Sequence, residues 1–262
     1  MSQDISRILS EWPHEPGKLN VRIVEDAGGE LWIQVRLDLG VLQMRIDGRP
    51  DAQRPNGCES YLEYFEQLAD ELEVEDAAGL EDERPPTSLG LSADDCRLIR
   101  DEATQYYHRY VALFMLEDFD GVVRDTTRNL RALDLMARHA AEEADRASME
   151  RFRPFVLFMR ARAVAGQSLK DGEPKAAALA LDEGLEALRD YFEGQGAPEL
   201  FEQSAEVETL RGMKEALQPR LPVSQTAELR KRLEEAVEQE NYELAAILRD
   251  ELSLLGQKPS GA

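Results

Sequence analysis

The feature that most limits the fold of this chain is a change in the spacing of its apolar residues near residue 50. Over residues 18–46, apolar and polar residues alternate in three stretches separated by turns at 26–29 and 38–40. A period of two predicts strands, and short turns join antiparallel neighbours. After about residue 60, apolar residues recur every three or four positions, which predicts helices. We therefore predict an α+β protein.

The strands are predicted to form a small three-stranded antiparallel meander with one apolar face. Isolated sheets of this size are marginal in water, so this face needs a cover. The next segment carries apolar residues at helical spacing, and we expect it to form the covering helix. These residues are Tyr61, Leu62, Phe65, Leu68 and Leu72. Residues 1–74 are thus predicted as a first domain of sheet plus helix.

An acidic stretch with two consecutive prolines, Pro85 and Pro86, follows this helix. Its composition offers little apolar surface to bury, which is typical of a solvated linker. We predict the linker over residues 75–90. It would separate the sheet domain from an α-helical scaffold domain over residues 91–218.

The helical domain is predicted to begin with a capping box formed by Ser92 and Asp95. Further along, small or apolar residues recur at Ala165, Ala177 and Leu181 on either side of a turn. This spacing resembles that of a tetratricopeptide repeat, in which small side chains let paired helices approach closely. An ordinary helical bundle fits the same pattern. Both interpretations of the scaffold stay open.

The C-terminal segment 225–256 is predicted to be an antiparallel helical hairpin. One apolar stripe precedes Asn241 and a second follows it, and the asparagine side chain can cap the second helix. The packing positions of these stripes, together with the turn tyrosine, are Leu229, Leu233, Ala236, Tyr242, Ala245, Leu248, Leu252 and Leu255.

The same residues resemble the UVR domain, a short coiled-coil module named from the UvrB and UvrC excision-repair proteins. Besides those packing positions, the resemblance includes Asn241, Glu243, Ala246, Arg249 and Asp250. It implies a bacterial protein whose hairpin contacts other proteins and is not itself catalytic. Asn241 stands where the family usually has an acid, and both residue types can cap a helix.

A second face of the last helix carries Leu244, Ile247 and Leu254. The partner helix of a two-helix hairpin cannot cover this face as well, so it is the candidate partner-binding surface. One interpretation is that these residues bind another protein chain, including a second copy of this one. The other is that they dock on the protein's own helical domain.

The chain has 53 acidic and 31 basic residues, which gives a net charge of −22. A nucleic acid is held by a basic surface, so we do not expect it as a partner. No apolar run approaches the length of a membrane span, and the N-terminus lacks a leader pattern. We therefore expect a cytoplasmic protein that does not bind membranes.

The sequence contains no recognisable catalytic motif. The three histidines and two cysteines are dispersed, so we expect no enzyme, no metal and no cofactor. One basic loop between the third strand and the next helix carries Arg49 and Arg54, which are candidates for contact with an anion. In the alternative interpretation these arginines pair with nearby acids such as Glu59 and Glu63.

These observations together predict a non-catalytic bacterial adaptor or scaffold that binds other proteins through the C-terminal hairpin and the helical domain. The alternative is an accessory factor in DNA excision repair, by analogy with the proteins that gave the hairpin its name.

Overall fold

The computed structural model describes residues 4–78 and 88–217, and in addition the single positions 233, 234, 237 and 249. Over the two long described ranges, a three-stranded antiparallel sheet lies near the N-terminus and helices follow, so the α+β prediction is confirmed. In chain order, the elements are α1 Ser6–Glu11, β1 Asn20–Glu25, β2 Leu31–Arg36, β3 Val41–Arg45, α2 Tyr61–Ala78, α3 Ala93–Met115, α4 Phe119–His139, α5 Glu143–Glu150, α6 Arg153–Lys170, α7 Pro174–Gly194 and α8 Ala205–Leu217.

The sheet has the predicted meander order, β1-β2-β3, with β2 in the centre. Ile33 on β2 lies opposite Ile23 on β1 and opposite Met44 on β3. Ile33 and Met44 are buried, whereas Ile23 remains 46% exposed. The apolar face is therefore covered at Ile33 and Met44 and partly exposed at β1.

The turn between β1 and β2 is held by the side chain of Asp26. Its carboxylate accepts hydrogen bonds from the backbone N–H groups of Gly28 and Glu30 and from the indole N–H of Trp32. These bonds stabilise the charged carboxylate and lower the pKa of Asp26. An aspartate that bonds to the backbone of its own turn is a common hairpin device.

Helix α2 packs mainly against other helices. Its buried residues Leu62, Phe65 and Ala69 belong to one core cluster with Ile99 of α3 and Met136 of α4. We expected this helix to cover the sheet, so its packing differs from that expectation. The apolar stripes of α3 and α4 offer α2 a matching apolar surface, and β2 contacts α3.

The chain separates into two compact units, Met1–Ala216 and Leu217–Ala262. The sheet and the helices up to Ala216 thus lie in one unit, where we predicted separate domains over 1–74 and 91–218. Arg109 of α3 helps to join them, since its guanidinium donates to the carbonyl oxygens of Arg45 and Gly48 in the loop after β3. Residues 79–87 of the predicted linker lie outside the described residues, so the linker stays a prediction.

Within the larger unit, α3 packs against α4, α4 against α6, and α6 against α7. Ala165 and Ala177 are fully buried, as the resemblance to a repeat requires, but the repeat interpretation stays a prediction. Helices α6 and α7 approach closely at Gly184, where an added Cβ would lie 2.4 Å from the Cβ of Ala161. Gly172, with φ +75°, lies in the turn that joins them.

The helix ends follow local chemistry. Ser92 and Asp95 form the predicted capping box at the start of α3. Helix α5 ends at Glu150, and α6 begins at Arg153 with Pro154 in its first turn. Proline fits that position because a first-turn N–H has no intrahelical acceptor. None of the helices in the described ranges is long and apolar enough to cross a membrane.

Candidate functional site

A set of buried charged residues joins the loop after β3 to α2, α3 and α4. At its centre is Glu102 on α3, which is fully buried. Its carboxylate accepts the backbone N–H groups of Tyr61 at 2.8 Å and Leu62 at 3.1 Å. These are the first two residues of α2, so Glu102 accepts hydrogen bonds from backbone donors that have no partner within the helix. Its negative charge also lies at the positive, N-terminal end of the α2 dipole.

Two arginines balance the charge of Glu102. Arg128 of α4 pairs with one carboxylate oxygen, and Arg49 from the loop lies 3.2 Å from the other. Arg49 also lies 3.3 Å from Asp51 and over the ring of Tyr61. A carboxylate enclosed by two guanidinium groups and two backbone donors is well compensated, as a buried charge must be.

A second buried pair lies about two helical turns further along the same face of α3. Arg109 of α3 donates to both oxygens of Asp125 on α4, at 2.6 and 2.8 Å, and both side chains are 1% exposed. Its remaining donors reach the carbonyl oxygens of Arg45 at 3.1 Å and Gly48 at 2.7 Å. Arg109 thereby holds the loop after β3 against the helices.

The ring of Tyr106 lies between the two ion pairs. The guanidinium carbon of Arg109 is 4.8 Å from the ring centroid, and that of Arg128 is 4.1 Å from it. Burial disfavours the charged form of both groups. It therefore raises the pKa of Tyr106 and lowers the pKa of Arg128. Every charge of this set therefore has a protein partner, and the arrangement holds elements together.

The structure pairs both arginines of the predicted anion loop with carboxylates. Arg49 is only 8% exposed and contacts Asp51 and Glu102. Arg54 is exposed and bonds to Glu59 at 3.0 Å. The pair of Arg54 with Glu59 is one that the alternative interpretation named, whereas Arg49 pairs with Asp51 and with Glu102, which is distant in the sequence. Contact of either one with an anion stays untested.

Sequence reasoning missed Glu102, Arg109, Asp125 and Arg128. A signal was present, because each lies at the spacing of the apolar stripe on its helix; Arg109, for example, stands between the buried Tyr106 and Tyr110. Charged residues at core positions are almost never buried unless they are paired.

An open groove of about 630 Å³ runs between α3, α4 and the junction of α5 and α6. The residues along it are Arg100, Asp101, Ala103, Thr104, Tyr107, Tyr110, Asn129, Leu133, Met149, Arg151, Phe152, Phe155 and Val156. Two of its aromatic side chains face solvent strongly, since Tyr107 is 40% exposed and Phe152 is 48% exposed. Its volume falls within the range of small-molecule sites.

The predicted hairpin lies almost entirely outside the described residues. Leu233 is helical and partly buried, and Val237 is helical and 51% exposed. All three proposed partner-binding residues, Leu244, Ile247 and Leu254, and every packing residue except Leu233 lie outside the described part. The segment belongs to the second compact unit, Leu217–Ala262.

Comparison with protein families identifies this segment. Residues 224–258 match the UVR family, described as the UvrB/uvrC motif. The predicted UVR domain at 225–256 is thus confirmed. Comparisons with curated proteins and with solved structures return no match.

The UVR motif makes protein–protein contacts and is not catalytic, so a protein partner is indicated in general terms. It covers much less than half of the chain, and the sheet and helices of the larger unit are not assigned to a family by it. Among the described residues, no group of three or more histidine, cysteine or acidic side chains is placed to hold a metal ion.

Proposed function

We propose that the protein is a non-catalytic adaptor of the bacterial cytoplasm that joins proteins through its UVR segment and its helical array. The observation that carries this proposal is the match of residues 224–258 to an interaction motif, in a compact unit separate from residues 1–216. A short contact module attached to a larger helical unit suits a protein that holds two partners together.

The proposed contact surface is the apolar face formed by Leu244, Ile247 and Leu254, which the hairpin's own seam leaves uncovered. In the predicted hairpin, Ala245 lies in that seam. Ile247 and Ala245 are therefore expected to have different roles. Substitutions at these two positions separate binding by the hairpin from its folding.

The test compares the full-length protein with its Ile247→Glu variant. We expect the variant to keep its helical content by circular dichroism and to lose self-association in sedimentation or capture of its partner from native lysate. Glu234→Gln is the control, because it also changes one charge, at an exposed position of the same segment. Unchanged assembly and unchanged capture by Ile247→Glu would remove the proposed surface.

Ala245→Arg completes the test. We expect it to force the hairpin helices apart and to lose both helical content and binding, at a cost of about 3 kcal/mol from overpacking and a buried charge. If it left helicity and binding intact, Ala245 would not lie in the seam.

A second candidate function is an accessory role in DNA excision repair. The description of the matching family favours it, since it names UvrB and uvrC. The test is a pull-down with purified UvrB and UvrC as separate baits, together with a duplex mobility shift at physiological salt. The net charge of −22 opposes direct binding to phosphate, so we expect no shift. A salt-dependent shift at sub-micromolar protein would favour the repair function.

A further inference from the structure

The groove between α3, α4 and the α5–α6 junction has the surface chemistry of a peptide site. Tyr107 on α3 and Phe155 on α6 face each other with ring centroids 6.0 Å apart, and Phe152 lies at the rim. Large aromatic side chains that remain solvent-exposed are enriched where proteins contact one another. The exposed positions of Tyr107 and Phe152 beside an open groove therefore indicate an interaction surface.

Tyr110 adds a polar group to this groove. The residue is 1% exposed, and its hydroxyl has no hydrogen-bond partner among the described residues. Burial raises the pKa of this hydroxyl, so it stays a neutral donor. A tyrosine hydroxyl that no protein group binds can be bound by water or by a molecule in the groove.

The charges along the groove differ in sign from the protein as a whole. Three charged residues line it, of which Arg100 and Arg151 are basic and Asp101 is acidic, while the chain carries −22. Asp101 is itself held by Arg97 at 3.7 Å. Asp101 is thus compensated, as is Arg100 by Asp145, and of the three charged residues along the groove Arg151 is the one left without an opposite charge in the described part of the chain.

Of the two bases, Arg151 is available for a partner. Arg100 is bound to Asp145 at 2.7 Å. Arg151 contacts no carboxylate in the described part of the chain, and its guanidinium carbon lies 4.7 Å from the ring centroid of Phe152. An exposed guanidinium stacked on an aromatic ring keeps its donors free for a carboxylate.

From these features we infer that the groove binds an acidic peptide segment of another protein, in which an apolar or aromatic side chain is followed closely by an aspartate or glutamate. The apolar side chain packs against Tyr107, Phe152 and Phe155, and the carboxylate pairs with Arg151. This inference rests on the proposed adaptor function, for which it specifies the second contact surface.

The experiment selects ligands from a phage library of random 12-residue peptides on the immobilised full-length protein. Phage that also bind the full-length double variant Arg151→Glu/Phe152→Ala are removed. We expect the enriched peptides to combine an aromatic or large aliphatic residue with a nearby acid. The most enriched peptide is then synthesised, labelled and measured by fluorescence anisotropy.

We expect Arg151→Glu to weaken that peptide about tenfold or more, because it places like charges opposite each other. Arg138→Glu is the matched control: Arg138 is also exposed, bonds only to a backbone carbonyl among the described residues, and does not line the groove. We expect it to leave the affinity unchanged. Thermal unfolding of each variant checks that the fold is kept.

Three results would overturn the inference: no peptide enriched after subtraction, enriched peptides without acids, or equal weakening by Arg138→Glu and Arg151→Glu. Ile247→Glu separates this inference from the adaptor proposal, since it leaves the groove unchanged. If peptide binding fails while Ile247→Glu still abolishes partner capture, the groove inference alone falls. If the peptide binds and Ile247→Glu changes nothing, the contact role of the UVR segment falls.

Discussion

The junction between the sheet loop and α3–α4 and the contact between α6 and α7 are held by opposite chemistry. The junction uses buried ions, Glu102 with Arg128 and Arg109 with Asp125, which bond directionally to particular backbone atoms. The α6–α7 contact uses small side chains such as Ala161 and Gly184 that meet without polar atoms. The ion pairs fix the orientation of the loop relative to α3 and α4. The small residues fix the distance between α6 and α7.

The two kinds of contact fail for different reasons. Removing one member of a buried ion pair leaves the other charge without compensation in a poorly polarisable environment. A contact between small residues contains no charge that a substitution could leave unpaired. Its close packing, however, leaves no room for an added methyl group. The junction should therefore be sensitive to the loss of a charge, and the α6–α7 contact to an added methyl group.

The largest effect is expected for Asp125→Ala. It leaves Arg109, which is 1% exposed, without a carboxylate and with the carbonyl oxygens of Arg45 and Gly48 as its remaining hydrogen-bond acceptors among the described residues. We expect unfolding in urea to show a loss of about 3–5 kcal/mol. Asp47→Ala is the control, because its carboxylate is 77% exposed in its pair with Arg124 and should contribute less than about 1 kcal/mol. Equal losses would show that burial does not decide the strength of these pairs.

An intermediate effect is expected for Gly184→Ala. The new Cβ would lie 2.4 Å from the Cβ of Ala161, so the helices must separate at a cost of about 1–3 kcal/mol. Gly212→Ala is the control, since an added Cβ there meets nothing within 4 Å and alanine favours a helix.

The double variant Gly184→Ala/Ala161→Gly sharpens this prediction. It moves the methyl group from one helix to the other and restores the distance, so we expect it to recover much of the lost stability. A double-mutant cycle in urea measures the coupling. Additive losses would mean that the contact between these two residues does not limit the approach of α6 and α7.

The smallest effect concerns His139, a titratable group outside both contacts. Burial, with a contribution from Arg138, lowers its pKa below the ordinary 6.5, and its Nδ1 accepts the N–H of Leu89. The unfolded chain then binds a proton more readily than the native protein. Stability is therefore full above about pH 6.5 and falls as the pH drops below it. Urea unfolding of His139→Asn should show a shallower decrease between about pH 7 and 5.5 than the parent protein. Parallel curves would show that His139 titrates alike in both states.

Local sequence patterns predicted those parts of the fold that depend on residues close together in the chain. Alternation located the three strands, and Ser92 with Asp95 located the start of α3. The UVR segment was recognisable because its defining residues lie within one short stretch. In each case the interacting residues are separated by a few positions or by one turn.

The parts that escaped prediction depend on residues far apart in sequence. Arg109 reaches the carbonyl of Gly48, which is 61 positions away, and the groove is formed by three helical segments. Helix α2 could pack on the sheet or on other helices with the same stripe, and in the structure its buried residues join one core cluster with α3 and α4. The spacing of residues along the chain does not determine these long-range contacts.

The bonds from Glu102 to the start of α2 have a consequence for how the protein opens. The first turn of a helix ordinarily frays, and its amide hydrogens exchange quickly with solvent. Here the amides of Tyr61 and Leu62 are bound by a carboxylate 41 and 40 positions away, on a different helix. Their hydrogens can exchange only when α2 leaves α3, which links the first turn of α2 to the cooperative unfolding of the whole core. Hydrogen exchange at the beginning of α2 thus measures the opening of the core, whereas exchange at a helix end usually measures only local fraying.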